Sequence, residues 1–429
     1  MTVDRRFERH LPEILEDLYL GPSPMYRDEV LAAAVRPRQR AAWTFPGRWL
    51  PMDIATRVAP GTRLPLRQLG ILALIAILVA VAVAVAVGAQ QRHLPAPFGP
   101  ARNGLIPYVS GGDLYVGDPA SGNTRLLYRS PKDEGVAGPG FSPDGTRLAF
   151  MQPAVIDTGA GGVPLDVYVM HDDGSNVLKI TSAPIEKVVW ASWTPDGRHL
   201  AVIEPSDGTN VLEVFDTEKQ VPPVRLETPA IPDQIVFRPP LGNEILFRGL
   251  QDGRYGLFVM NADGSNVQTL IPPVETEDLD QDLNNATYSA DGKRIFYQRW
   301  TPQSIQLWVM NADGTDPHEF KPETGQGWDG FPSPSPDGRW VAYWHVIEDG
   351  RTIQHVSVVR ADGTGPIVAT GPDLTGNAHW VWSPDSTKLL MYSEDSGNKS
   401  AYLLDPGGGN FTTVPWQSDS DLDWQRLGQ

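Results

Sequence analysis

From residue 104 onward, short apolar runs alternate with polar turn phrases at a regular spacing. The phrase Ser-Pro-Asp-Gly, or a close variant, precedes several of these runs and itself follows an aromatic residue in most copies. Aligning the residue before the phrase marks seven equivalent positions, which we call the anchor positions: Phe141, Trp193, Phe237, Tyr288, Pro334, Trp382 and Trp424, at steps of 52, 44, 51, 46, 48 and 42 residues. A period in the forties predicts one supersecondary unit copied many times, because a single unit cannot bury its own core.

Each repeat predicts four strands. Proline fixes φ and glycine accepts φ > 0, so the Ser-Pro-Asp-Gly phrase predicts a tight turn after the first strand. Apolar runs such as residues 148–150 and 341–343 predict the second strand, and runs such as 257–260 and 307–310 predict the third. An Asp-Gly hairpin signal follows the third strand in most repeats, and a fourth strand closes the unit. Four antiparallel strands per repeat form a propeller blade.

The phrases SPDG before the second strand and NADGSN before the fourth resemble those of TolB-like (WD-like) β-propellers over residues 104–429. The resemblance implies an all-β fold of four-stranded antiparallel blades. We predict seven blades, with six as the alternative. Residues 105–128 supply three strands, and residues 421–427 have the pattern of a lone first strand. We therefore expect the C-terminal strand to close the first blade and remove an open sheet edge.

Residues 69–89 form an apolar run without a charge, which predicts one transmembrane helix because it spans roughly 30 Å at about 1.5 Å per residue. Arginines cluster before this run, which predicts a cytoplasmic N-terminus and an extracytoplasmic C-terminal part at the cell membrane. A cleaved signal peptide is disfavoured because the 68 residues before the run are too many for its basic region. The expected divisions are a cytoplasmic segment 1–68, the helix 69–89, a linker 90–103 and the propeller 104–429.

The predicted cytoplasmic segment has the pattern of two short amphipathic helices, which cannot build a substantial core alone. They should therefore contact the membrane, another copy or a cytosolic protein. Short cytoplasmic helices, one crossing and an outer domain resemble the topology of transmembrane anti-sigma factors. The zinc-binding form of those proteins needs His and Cys ligands, and this chain has no Cys. A membrane-anchoring tail without a specific partner is favoured at least as strongly.

Charge separates the two ends of the chain. The net charge of the whole chain is −17, yet residues 1–68 carry eleven Arg, no Lys and eight acidic residues. The remainder is strongly acidic, which argues against nucleic-acid binding because nucleic acids favour basic surfaces. The absence of cysteine excludes disulfides, a thiol nucleophile and cysteine-ligated metals.

No motif in the chain predicts catalysis. A Gly-x-Ser-x-Gly nucleophile elbow is absent, and the eight histidines do not have the spacing of metal ligands. The aspartates of the repeated turn phrase are expected to be structural. We therefore expect no enzyme activity, no cofactor and no resident metal.

The expected binding surface is the face of the disc opposite the short turns. We call the face with the Ser-Pro-Asp-Gly turns and Asp-Gly hairpins the turn face, and the opposite one the loop face. Loop-face connections, such as residues 154–166, 204–210, 299–306, 345–354 and 274–285, vary in length and chemistry, as binding loops do. The candidate ligand-binding residues on this face are Asp278, Asp280, Asp282, Trp300, His345 and Glu348.

Two links on the predicted loop face are rich in acidic residues, 275–282 and 419–423. A calcium site there is one reading, but no Asp-x-Asp-x-Asp-Gly loop is present, which favours solvated acidic loops. The leading functional hypothesis is a non-catalytic binding or scaffold module for a protein, peptide or glycan. The alternative is a signal transducer with the propeller as sensor, and the third hypothesis is an enzyme with its site in the channel.

Overall fold

The computed structural model describes residues 94–131, 135–154, 164–206, 208–273, 283–300, 304–320, 328–348, 352–374, 377–395, 398–408, 410–419 and 422–428. The backbone in these ranges forms strands, turns and bends. The predicted cytoplasmic segment 1–68 and the apolar run 69–89 lie outside them. Within the described part of the chain, no helix has the length and apolar character needed to cross a membrane.

The described strands form seven blades, and in each blade the chain meanders from one strand to its neighbour. Blade 1 contains β2 (Ile106–Ser110), β3 (Asp113–Gly117) and β4 (Thr124–Tyr128). Blade 2 contains β5 (Ala137–Phe141), β6 (Arg147–Pro153), β7 (Leu165–His171) and β8 (Leu178–Lys179). Blade 3 contains β9 (Trp190–Trp193), β10 (His199–Ser206), β11 (Thr209–Asp216) and β12 (Val224–Leu226).

The second half of the ring repeats this plan. Blade 4 contains β13 (Ile231–Phe237), β14 (Glu244–Gln251), β15 (Arg254–Asn261) and β16 (Gln268–Ile271). Blade 5 contains β17 (Leu283–Tyr288), β18 (Arg294–Trp300), β19 (Ile305–Asn311) and β20 (His318–Glu319). Blade 6 contains β21 (Trp328–Pro334), β22 (Trp340–Glu348), β23 (Thr352–Arg360) and β24 (Val368–Leu374). Blade 7 contains β25 (Asn377–Trp382), β26 (Leu389–Asp395), β27 (Asn398–Leu404) and β28 (Phe411–Thr413).

The prediction of an all-β propeller with seven antiparallel blades is confirmed. Two short strands, β1 (Arg102–Asn103) and β29 (Arg426–Leu427), pair with each other and join the two ends of the described chain. The C-terminal residues also run beside blade 1, where the N–H of Gln425 donates to the carbonyl of Leu105 at 2.9 Å. The N–H of Asp419 donates to the carbonyl of Val109 at 2.7 Å. These bonds give blade 1 a neighbour on the edge where the other blades have their first strand.

Seven apolar clusters hold the ring together, one at each interface between neighbouring blades. Side chains alternate along each strand, so odd-numbered residues of β22, such as Tyr343, pack against blade 5 and even-numbered ones, such as Trp344, pack against blade 7. The closing interface has the same character, because Trp424 packs with Ile106 of blade 1 and Leu390 of blade 7. Burial of both faces of every blade explains how the fold is stable without disulfides.

The Ser-Pro-Asp-Gly phrase forms the expected turn and uses its own carboxylate. The Ser142 hydroxyl donates to Asp144 Oδ1 at 2.6 Å, and the N–H of Thr146 donates to the same oxygen at 3.0 Å. Gly145 has a φ of +69°, which glycine adopts without strain. The same serine–aspartate bond recurs in the turns of blades 5, 6 and 7. These aspartates are therefore structural parts of the turn.

Three of the expected loop-face loops are shorter than predicted. Residues 345–354 were expected as a loop, but β22 and β23 continue pairing through His345 as far as Glu348 and Thr352. Residues 204–210 likewise form the ends of β10 and β11, and β18 extends to Trp300. These boundaries were wrong because the antiparallel ladder continues to satisfy the backbone hydrogen bonds well beyond the apolar runs that predicted the strands.

Candidate ligand-binding channel

The first strands of the blades surround an axial channel that contains two cavities. The larger has a volume of about 470 Å³ and is lined by blades 2, 3 and 4. The smaller, about 330 Å³, lies among the first strands of blades 4 to 7 and the C-terminal segment. Anchor residues line both cavities, and this position explains why most of them are aromatic. They are Phe141, Trp193 and Phe237 in the larger cavity, and Phe237, Tyr288, Pro334, Trp382 and Trp424 in the smaller one.

Asp423 is the single charged side chain among the residues that line the larger cavity. Its Oδ2 accepts a hydrogen bond from the N–H of Phe141 at 2.7 Å. Burial raises the pKa of Asp423 to about 6, against the opposing effects of hydrogen bonds from the backbone N–H groups of Trp424 and Phe141 and of the positive charge on Arg426. The sequence placed Asp423 in a solvated acidic link, but ring closure brings it into apolar surroundings.

Trp190 and Trp193, the first and last residues of β9, line the same cavity but differ in their hydrogen bonding. The indole N–H of Trp193 donates to the carbonyl of Gly140 at 3.1 Å. The indole nitrogen of Trp190 is buried and has no hydrogen-bond partner among the described residues. A buried donor without an acceptor costs about 1–3 kcal/mol, so an acceptor placed in the cavity would form a favourable hydrogen bond with the indole N–H of Trp190.

The chain's own N-terminal segment, residues 94–100, covers the channel on the turn face. Nη2 of Arg426 donates to the carbonyl oxygens of Ala96 at 3.0 Å and Gly99 at 2.6 Å. Phe98 packs against the core cluster between blades 3 and 4 and lines both channel cavities. A ligand in the larger cavity would therefore contact the segment that precedes the propeller.

The position three residues before each anchor differs in every blade. We call these the ring positions, and the described ones are Gly138, Trp190, Gln234, Asn285, Phe331 and His379. Gly138, Asn285 and Phe331 have φ values of 56°, 49° and 55°, and each lies at a bulge in the first strand of its blade. Glycine and asparagine tolerate this conformation, but a bulky phenylalanine in it is an outlier. Phe331 is also 44% exposed, so a large part of the strained residue is open to solvent.

A buried polar row crosses blade 6 near the loop face. Asp329, His345 and His355 lie on adjacent strands, and Oδ1 of Asp329 is 2.7 Å from Nδ1 of His345. The rings of His345 and His355 are 5.1 Å apart. Gln298 of blade 5 packs against Gly330 beside this row and accepts a hydrogen bond from Asn285 at 2.9 Å. Because all three members of the row are buried, it is shielded from solvent.

A second acidic feature lies near the loop-face end of blade 3. Burial, a hydrogen bond with Glu213 and the negative charge on Glu213 raise the pKa of Glu204 to about 7. Both carboxyl groups are half-buried. Burial and the repulsion between adjacent carboxylates thus both favour the protonated form of Glu204.

The predicted site residues have different positions in the structure. Trp300 is 39% exposed at the end of β18, and His345 is buried in β22 on the side of blade 6 that faces blade 5. Glu348 ends β22. Asp278, Asp280 and Asp282 lie outside the described residues, so the loop-face site stays a prediction.

Sequence reasoning missed Asp423, Phe98 and Trp190. Variation at the ring positions among otherwise similar repeats was the signal that marks Trp190 and Phe331. In the described ranges, no group of three or more His, Asp or Glu side chains is arranged to hold a metal ion.

No family model matches the chain. The protein Atu1656 of Agrobacterium fabrum (strain C58), described as uncharacterized, is 27% identical over 206 residues, which cover 46% of this chain and 66% of that protein. The match therefore spans just under two thirds of the relative's length.

Several solved structures share the fold at low sequence identity. A prolyl endopeptidase structure is 15% identical with a TM-score of 0.56, covering 79% of this chain and 52% of that one. Oligogalacturonate lyase in complex with manganese is 14% identical with a TM-score of 0.53, covering 73% and 84%. TolB from Acinetobacter baumannii is 16% identical with a TM-score of 0.47, covering 75% and 81%. The described part of the chain is thus a β-propeller, a fold that it shares with the prolyl endopeptidase and with the lyase.

Proposed function

We propose that the chain is a single-pass membrane protein whose extracytoplasmic propeller binds a protein, peptide or glycan without chemical turnover. The apolar run 69–89, with arginines on its N-terminal side, supports the membrane anchor and its orientation. The extracytoplasmic location and the non-enzymatic role belong to the same proposal.

The apolar channel carries the binding proposal. Its larger cavity has a volume within the range of small-ligand sites and is lined by aromatic and aliphatic side chains with one carboxylate. Acid–base or nucleophilic catalysis needs a nucleophile, base or second acid beside such a group. Among the described residues that line this cavity, Ser192 has a hydroxyl, but there is no His, Lys, Tyr or second carboxylate to activate it together with Asp423.

The shared fold with a prolyl endopeptidase and a lyase does not transfer their activities, because function depends on the site and not on the fold. The Asp329–His345 pair is the arrangement most like a catalytic dyad in the described residues. We assign it to packing within blade 6, since both side chains are buried.

The predicted loop-face surface, which is separate from the channel cavities, is tested by photo-crosslinking with the full chain in lipid nanodiscs. A photoreactive phenylalanine analogue replaces Trp300 on the loop face or, as the matched control, Leu241, which is 74% exposed on the turn face. We expect a discrete crosslinked species from extracytoplasmic extract at position 300 only. The same species at position 241, or none at position 300, would contradict a loop-face binding surface.

The membrane topology is tested separately, because a chain without cysteine accepts single labels cleanly. Ala33→Cys and Leu241→Cys are introduced one at a time and exposed to a membrane-impermeant maleimide in intact cells. We expect labelling at position 241 and protection at position 33. The reverse pattern would overturn the proposed orientation.

Signal transduction is a second candidate, and Phe98 is the observation that favours it. Phe98 lines both channel cavities and follows the end of the apolar run 69–89 by nine residues. A ligand in the channel would thus contact residues 94–100, which connect the propeller to the N-terminal region. In nanodiscs, the full chain should retain a soluble cytosolic protein, such as a sigma factor, that a chain lacking residues 1–68 does not. Equal retention by both would leave only the anchoring role for these residues.

A further inference from the structure

The larger channel cavity combines an apolar wall with one negative charge. Six aromatic residues from blades 2 to 4 and the N-terminal segment line it: Phe98, Phe141, Phe150, Trp190, Trp193 and Phe237. Burial of an apolar ligand body against such a wall contributes roughly 25 cal/mol per Å² of apolar surface removed from water. The wall therefore favours a ligand with an apolar or aromatic body.

The carboxylate of Asp423 lies at the edge of this wall without a salt bridge. No Lys, Arg or His of the described residues lies within 4.0 Å of its oxygens. Arg426 is the charged group that faces it without a direct contact, and its Nη2 donates to the carbonyl oxygens of Ala96 and Gly99 while its positive charge still acts on Asp423. A carboxylate in apolar surroundings without an ion pair is a position where a ligand cation gains binding energy.

The charge on Asp423 is present under neutral conditions. Burial raises its pKa to about 6, so the carboxyl group is mostly ionised above pH 7. The chain as a whole carries a net charge of −17, which also favours the approach of a cation. Aromatic faces around a cation add a further attraction between the positive charge and the π-electrons.

We propose that the cavity between blades 2, 3 and 4 binds an organic cation whose apolar body packs against Phe141, Trp190 and Phe237 and whose ammonium or guanidinium group meets Asp423. The inference rests on the proposed binding function and names the ligand chemistry that the channel takes. The unpartnered indole N–H of Trp190 provides a donor for an acceptor on the same ligand. A free amine and a basic peptide side chain share this chemistry.

The test measures binding to the full chain in nanodiscs by isothermal titration at pH 7.5, with empty nanodiscs as the blank. The probes are 2-phenylethylamine, which is a cation at this pH, and 2-phenylethanol, its neutral analogue. A peptide arm compares N-acetyl-Phe-Lys-amide with N-acetyl-Phe-norleucine-amide. We expect each cation to bind at least tenfold more tightly than its neutral partner, and the stronger of the two arms identifies the source of the cation.

Two variants assign the preference to Asp423. Asp423→Asn removes the charge but keeps an acceptor for the N–H of Phe141, so the fold is expected to remain. Asp316→Asn is the control, because it removes the same charge from an exposed carboxylate in the last hairpin of blade 5. We expect Asp423→Asn to abolish the cation preference and Asp316→Asn to retain it.

Equal affinities for cation and neutral analogue, no binding of either, or a preference that survives Asp423→Asn would overturn the inference. These results are distinct from a failure of the proposed function. That failure is read from the crosslinks at positions 300 and 241, which do not depend on the cation. Fluorescence and unfolding profiles identical to the parent establish that each variant is folded.

Discussion

Ring closure makes a quantitative prediction at Gly145. This residue has a φ of +69°, and a Cβ added to it would lie 2.0 Å from the carbonyl oxygen of Arg426 in the C-terminal strand β29. The Gly145 carbonyl also accepts a hydrogen bond from Gln425 Nε2 at 2.7 Å. The substitution Gly145→Ala therefore perturbs backbone conformation and ring closure together.

The two effects have separable magnitudes. An L-residue in the left-handed region costs roughly 1–2 kcal/mol. Cβ atoms in real structures essentially never lie within 3.0 Å of another heavy atom, so β29 must also move by about 1 Å. Inserting a carbon into a packed site in this way costs about 1–3 kcal/mol. We expect Gly145→Ala to lower the free energy of unfolding by roughly 2–5 kcal/mol, of which about half arises from the displaced closing strand.

Two further glycines serve as controls. Gly253 has a φ of +80° but no atom within 4 Å of an added Cβ, so Gly253→Ala measures the conformational cost alone. Gly292 has a φ of +67° and a Cβ position 2.0 Å from the carbonyl oxygen of Pro239, which reproduces the same contact between blades 4 and 5. Urea unfolding of the full chain, followed by tryptophan fluorescence, gives the three values.

The relative losses of unfolding free energy in the three variants test whether the C-terminal strand closes the ring. Gly145→Ala and Gly292→Ala should be similar to each other and clearly more destabilising than Gly253→Ala. If Gly145→Ala costs no more than Gly253→Ala, the C-terminal strand does not close the ring in solution, and the reasoning is refuted.

Three other predictions concern the turns, the N-terminal segment and the ring positions. Burial alone would raise the pKa of Asp385, but hydrogen bonds from Ser383, Thr387 and Asn103 outweigh burial and lower that pKa. The stabilisation by the ionised Asp385 is therefore present at neutral pH and is lost as the pH falls below about 4. Asp385→Asn should lower the free energy of unfolding by about 1 kcal/mol at pH 7 and by little at pH 3, and equal losses at both pH values would contradict this. Arg426→Lys should increase hydrogen exchange at residues 94–99 because the bonds to Ala96 and Gly99 weaken, while unchanged protection would show that these bonds do not hold the segment. Phe331→Asn should raise the free energy of unfolding by about 1 kcal/mol by relieving the strain at φ 55°, and a loss of stability on urea unfolding would argue against strain there.

The blade architecture was predictable because it depends on local chemistry that repeats. Proline, aspartate and glycine form the turn after each first strand, and the hydroxyl–carboxylate bond within the turn needs only residues three positions apart or fewer. The anchor before the turn lines the channel in each copy, so its side chain is mostly aromatic. Seven copies of such a unit set the number of blades without any long-range information.

The channel site was not predictable because its parts are distant in sequence. Asp423 lies in an acidic run whose pattern is that of a solvated link, and only ring closure brings it beside Phe141. The segment 94–100 has no strand periodicity, yet Arg426 holds it by two bonds that span more than 320 residues. His345 was expected in a loop, but ladder pairing with His355 keeps it within a strand, and Asp329 is its buried partner.

Several local costs occur in the described residues, such as further indole nitrogens without a partner at Trp380 and Trp416, and two of these costs lie at ring positions. The strained backbone at Phe331 and the unpaired indole N–H of Trp190 each cost about 1–3 kcal/mol. Both lie at ring positions, where sister blades have residues that avoid the cost, such as Gly138 and Asn285 in the left-handed conformation. The repeats have similar residues at their turns and anchor positions but different residues at the ring positions. This variation is tolerated because the blades do not depend on the ring-position side chains for their stability. Selection for stability alone would remove such costs, so their retention on the first strands supports the proposal that the channel has a role in binding.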